Sequence, residues 1–211
     1  MKGYKTIREP AEDRFVEKKS EFIGRIAPVS AEEEALEFIA RVKKENREAR
    51  HNVFAYVLRN GVTRCSDDGE PQGTGGVPVL GVIQKEGLTD VCLVVTRYFG
   101  GILLGGGGLT RAYSHGAALA VAAAKPPNMT PCQVFRCEIE YTLYGKLTFL
   151  LPRYGVKTLD SDFGEGVSLT LAVRRELCTP LWEEITELSG GKAALRVLET
   201  VFLDEQDVCP S

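Results

Sequence analysis

Six of the nine residues from Gly100 to Gly108 are glycine, and they join the apolar run VCLVVT (Val91 to Thr96) to an alanine-rich segment beginning at Leu109. The layout reads as strand, glycine loop, helix. Glycine loses more conformational freedom on folding than any other residue, so this density implies positive φ angles or close approach by a neighbour. A loop opening onto a helix N-terminus aims unpaired N–H groups and a positive dipole end outward, which suits a phosphate, a carboxylate or a nucleic-acid backbone. Arg97, Tyr98 and Arg111 flank the run. Two readings stay open: an anion cradle made by the amides of Gly105 to Leu109 with Arg111, or a loop whose glycines let it fold tightly over a neighbouring strand.

A second group lies in SDDGEPQGTGG, where Asp67, Asp68 and Glu70 fall within four residues. Three carboxylates so close are compatible with Mg²⁺ binding or acid–base work, although the spacing lacks the length and distal Glu of an EF-hand. Asp-Gly and Glu-Pro are equally plain turn chemistry, which makes a loop capped by its own side chains the competing reading. His51 opens the strand HNVFAYVL, either as a hydrogen-bonded structural group or as a base. His115 shares a helix face with Arg111, four residues earlier, and completes no nucleophile pair with a Ser or Cys. Tyr98 and Phe99 fit base stacking or anchoring of the loop in the core. No residue is assigned as catalytic or metal-ligating, and no cofactor is expected.

The elements that must position these groups are readable. SEFIGRIAPV (Ser20 to Val29) is the first clear strand candidate, and Ser30 is an N-cap candidate for a helix carrying Ala35, Leu36, Ile39 and Val42 at helical spacing. HNVFAYVLRNGVTRCS is a hairpin turning at Asn60-Gly61. VLGVIQKEG is a short helix, VCLVVTRYFGG a buried strand, and the helix after the glycine loop packs through Leu109, Ala112, Tyr113, Gly116, Ala117 and Ala120 before ending near Ala124. Lys125-Pro126-Pro127-Asn128 marks the domain boundary, between residues 1–128 and 132–211. Beyond it the pattern is strand, helix, strand, strand, helix, strand, the ferredoxin-like βαββαβ order. The fold class is therefore α+β.

The totals bound the function. With 211 residues, 44% hydrophobic and 26% charged, the chain has an ordinary globular composition. A net charge of -3 argues against a general electrostatic grip on nucleic acid. The first 128 residues carry 18 basic and 16 acidic side chains, the remainder 8 and 13, so a polyanion would prefer the first part through a local patch. No stretch approaches the roughly 20 apolar residues of a membrane span. The polar start lacks a signal-peptide core, so no membrane partner and a cytoplasmic location are expected. The six cysteines show no C-x-x-C and no zinc-ligand spacing.

ARHNVFAY (Ala49 to Tyr56), CSDDGEPQGTGGVPVL (Cys65 to Leu80) and VVTRYFGGILLGGGGLTRAY (Val94 to Tyr113) together resemble the IMPACT/YigZ family. The resemblance covers both domains. It implies a first domain shaped like the second domain of a small-subunit ribosomal protein, also found in elongation factor G, and a second like a C-terminal domain of that factor. It further implies a role in translation or its regulation, through RNA, the ribosome or a protein partner. His51, Asp67, Asp68, Glu70, Pro71, Gly73, Arg97, Tyr98, Gly100, Gly101, Gly105, Gly108 and Arg111 stand on matching motif positions and form the candidate ligand-binding set. Leu103 stands where many relatives have lysine, Gln72 where they have Ser, and Glu21 where they have arginine, which weakens the expectation of phosphate contacts. Two alternatives remain beside this binding module: a small-molecule enzyme using His51 or Asp68 as base with Mg²⁺ on the carboxylates, and a protein-binding scaffold using the acidic second domain.

Overall fold

A computed structural model describes residues 3–210. The chain divides into two compact units, residues 4–127 and residues from 128 onward, with Gly3 belonging to the latter. In chain order the first holds β1 (Tyr4–Lys5), β2 (Ala11–Glu17), β3 (Ser20–Pro28), α1 (Glu32–Glu45), β4 (His51–Val57), β5 (Thr63–Ser66), α2 (Gly76–Lys85), β6 (Val91–Tyr98) and α3 (Gly106–Ala124).

The apolar run of β6 is buried on both faces because it lies at the centre of a five-stranded sheet ordered β2-β3-β6-β4-β5. All four neighbouring pairs are antiparallel. One face packs Ala27, Tyr56, Cys92 and Val94 against Ala35, Phe38, Ile39 and Val42 of α1. The other packs Phe22, Val53 and Val95 beneath α2 and α3. Leu36 is 52% exposed. The buried stripe of α1 follows the i, i+3, i+4, i+7 phase from Ala35, which puts Phe38 inside and leaves Leu36 out. Ala31, not Ser30, is the N-cap, while Glu34 reaches back to accept from the Ser30 N–H at 2.7 Å.

β2 carries no strand signal in the sequence. AEDRFVE is an edge strand with one partly buried face, so its polar character hides it. Its turn into β3 carries no glycine or asparagine signal either, since Lys18 and Lys19 hold the positive φ angles of 45° and 64°. Close packing of β3 on α3 depends on Gly24, where a Cβ would run into the Gly116 carbonyl.

The second unit holds β7 (Asn128–Ile139), α4 (Tyr141–Leu150), β8 (Lys157–Phe163), β9 (Val167–Arg174), α5 (Cys178–Leu188) and β10 (Ala194–Asp204). Residues 129–131, which the sequence places between domains, are already strand. The pairings β10-β7-β9-β8 are all antiparallel, which is the ferredoxin-like strand order. α4 and α5 contribute Leu147, Leu150, Leu181 and Ile185 to the core formed with Phe135, Leu169 and Leu171. All six cysteines are free thiols. Burial pushes Cys92 up to about 12 and Cys137 up to about 11, which keeps both unreactive.

Gly24→Ala should destabilise the protein by about 1–3 kcal/mol, the usual cost of overpacking. Denaturant unfolding measures it, with the midpoint falling and the slope unchanged.

Candidate functional site

Strand register builds the site. His51 lies opposite Arg97, and Arg97 opposite Phe22, so β4, β6 and β3 put these three side chains in one row. Directly opposed residues share a face, and Phe22 belongs to the core beneath α2 and α3. Glu70 enters the same region from the loop after β5. Its Oε1 accepts from Arg97 Nη1 at 2.7 Å and from the Tyr113 hydroxyl of α3 at 2.8 Å. The pair is deeply buried, with side-chain exposures of 6% for Arg97 and 4% for Glu70. Burial, then the Glu70 charge, pushes the Tyr113 hydroxyl far above its ordinary range, so it remains a donor. The guanidinium lies 5.5 Å from the Phe22 ring centre and 5.3 Å from that of Phe99, and its buried Nε has no hydrogen-bond partner.

His51 closes the cluster. Its Nδ1 is 2.9 Å from the Asp68 carbonyl, which can only accept, so Nδ1 carries a proton. Nε2 lies 3.9 Å from Glu70 Oε1. The two aspartates serve different partners. Asp67 accepts from the N–H groups of Gly73 (2.8 Å), Gly75 (2.9 Å) and Gly76 (2.8 Å), folding the loop onto the first turn of α2. Burial opposes its charge, yet these three donors prevail and hold its carboxyl below the usual range. Asp68, at φ 46°, pairs with Lys43 of α1 at 2.6 Å and accepts from the Asn52 N–H at 2.7 Å. The acidic loop is thus capped by its own side chains. Among the described residues no group of three or more His, Cys, Asp or Glu could hold a metal ion.

The glycine loop is held at both ends. Tyr98 donates to Asn46 Oδ1 at 2.9 Å, tying the loop entrance to the end of α1. The Gly100 N–H donates to Ser20 Oγ at 3.2 Å, and a Cβ at Gly100 would collide with the Lys19 backbone. Gly101 and Gly105 have φ of 83° and 72°, which only glycine adopts freely. Leu109 makes the first intrahelical bond of α3, to the Gly105 carbonyl, leaving the amides of Gly106, Gly107 and Gly108 outside the helix ladder. No side chain caps this end.

Arg97, Tyr98 and Arg111 therefore do not form one cationic face. Arg97 is buried and paired, whereas Arg111 is exposed without an ion pair among the described residues and lines a cleft of about 280 Å³ with Phe15, Lys18 and His115. What the loop presents outward is apolar: Phe99, Ile102 and Leu103 are 39%, 41% and 81% exposed. Sequence reasoning placed Tyr113 in the packing stripe and missed its second task. The signal was available, because a tyrosine buried on a helix needs an acceptor for its hydroxyl. Lys43, Asn46 and Asn52 carried no such signal.

Fold and site together define a two-domain α+β protein whose motif side chains brace a glycine loop. Residues 18–121 match the Impact N-terminal domain, and residues 137–192 match a domain of unknown function, DUF1949. The chain is similar to IMPACT family member YvyE of Bacillus subtilis, 36% identical over 97% of this chain and 95% of that protein. It is also similar to IMPACT family member YigZ of Escherichia coli, 33% identical over 86% and 91%. A solved structure of a hypothetical protein matches with a TM-score of 0.60 and 31% identity, covering 94% of this chain and 98% of that one. The chain belongs to the IMPACT family.

Glu70→Ala should cost about 3–5 kcal/mol by leaving Arg97 buried and uncompensated, and adding Arg97→Met should recover much of that loss in a double-mutant cycle. Asp67→Asn should cost about 1–2 kcal/mol at neutral pH, the size of a lost cap. Because the folded carboxyl is lowered, the Asp67 contribution is fully present above the unfolded value of about 3.9 and is lost as pH falls through the folded one. The stability gap between wild type and variant, measured by unfolding at several pH values, should therefore close on acidification.

Proposed function

We propose that this protein is a cytoplasmic, non-enzymatic binding module of translation or its regulation, and that its glycine-loop face docks a protein surface. The observation that carries this reading is that Arg97 is buried in a pair with Glu70 against the Phe99 ring, while Phe99, Ile102 and Leu103 are exposed on the loop. A buried, neutralised guanidinium gives no grip on phosphates, while three neighbouring apolar side chains on a glycine-rich loop suit an apolar partner that approaches the backbone closely. IMPACT family membership supports the link to translation, since the resemblance implies control of translation through protein partners in the family's eukaryotic branch. An Mg²⁺-dependent enzyme has less support: Asp67, Asp68 and Glu70 are each engaged by separate donors, and Glu70 is closed to a substrate.

A specific observation keeps RNA as the second reading, namely the cleft lined by Lys18, Arg111 and His115 together with the single carboxylate Glu17. Photo-cross-linking from position 102 in cell extract separates the two. The protein reading predicts capture of a translation protein that survives RNase, persists as salt is raised and disappears with Leu103→Asp. Cross-links to RNA, lost steeply with salt and abolished by Arg111→Ala, would transfer the function to nucleic acid.

A further inference from the structure

The second unit carries a cleft of about 790 Å³ that the glycine-loop reading does not use. Its wall is α5, which contributes Cys178, Trp182 and Thr186 along one ladder and Thr179, Glu183 and Glu187 along the next. Both ladders run at i, i+4 spacing, so the cleft follows about 14 Å of helix axis. Its floor is Gln133 of β7 and Val197 of β10. Val197 is 52% exposed beside a register break between Val197 and Glu199, and β10 pairs with β7 alone among the described strands.

Two observations define what this groove lacks. Trp182 packs edge-on against Phe135 at 5.6 Å, and its indole Nε1 is buried without a hydrogen-bond partner. Glu183 and Glu187 are exposed and make no ion pair among the described residues, in contrast to Glu184, which holds Arg153 at 2.9 Å and Tyr154 at 2.5 Å on the neighbouring face of the same helix. The surroundings reinforce the sign, because residues 129–211 carry 8 basic and 13 acidic side chains.

We propose that this groove binds a basic amphipathic helix of a partner protein, laid along α5. An elongated cleft with Trp182 on its wall and Val197 on its floor suits apolar side chains recurring every three to four residues better than it suits a compact small molecule. Those side chains cover Trp182 and Val197, and lysines or arginines on the flank of the same helix meet Glu183 and Glu187. All lining residues belong to the second unit, so the site stands independently of the glycine-loop face.

Trp182 is the only tryptophan in the chain, which makes its fluorescence a direct reporter of the groove. The intact protein is titrated with a synthetic amphipathic helix of leucine and lysine, and with the same peptide carrying glutamate for lysine. The lysine peptide should give a saturable blue shift of the Trp182 emission, and the glutamate peptide none. Glu183→Gln with Glu187→Gln should weaken the lysine peptide about tenfold, corresponding to about 1.4 kcal/mol. Asp160→Asn with Asp162→Asn, an equal charge change on β8, should leave affinity within about twofold, and Val197→Lys should abolish the shift, since like charge would then sit in the cleft. The proposal is overturned by no saturable shift, by equal response to both peptides, by equal losses in the two double variants, or by undiminished binding to Val197→Lys.

Discussion

One oxygen of Glu70 receives hydrogen bonds from Arg97 and Tyr113 in a region nearly closed to water. Three parts of the first unit meet there: the central strand β6, the helix that follows the glycine loop, and the acidic loop after β5. A carboxylate and a guanidinium removed from water are costly unless each has partners, so the arrangement is stable only when strand, helix and loop are all in place. The glycine loop spans the interval between two of these attachments, Arg97 and Tyr113. Its path follows from them.

This geometry redistributes the roles that residue types alone imply. Asp67 closes its loop on the N-terminus of α2, Asp68 links that loop to α1 and β4, and Tyr98 fixes the start of the glycine loop to Asn46. Charged residues clustered in sequence become separated by direction in space. Phe99, Ile102 and Leu103 remain exposed on the loop, with Arg50 over the Phe99 ring and Arg111 exposed in the first turns of α3.

The limits of legibility follow from the same physics. β6 was readable because a strand buried on both faces is a continuous apolar run, and the second unit was readable because its strands and helices alternate with clear turn signals. β2 was hidden because an edge strand needs little apolar character, and its Lys18-Lys19 turn uses residues that rarely adopt positive φ. The motif residues were identifiable, but not their partners. Register across three strands brings His51, Arg97 and Phe22 together over separations of 29 to 75 residues along the chain, and no local pattern records such a meeting.

Hydrogen–deuterium exchange of the Gly100 amide and the α3 amides from Leu109 to Tyr113, compared between wild type and Glu70→Gln, tests most directly whether the buried clasp shapes the glycine loop. Protection at these amides should fall selectively in the variant, while the β7–β10 sheet of the second unit keeps its protection. Equal protection at these amides in the two proteins, with Glu70 neutralised, would contradict that role of the clasp.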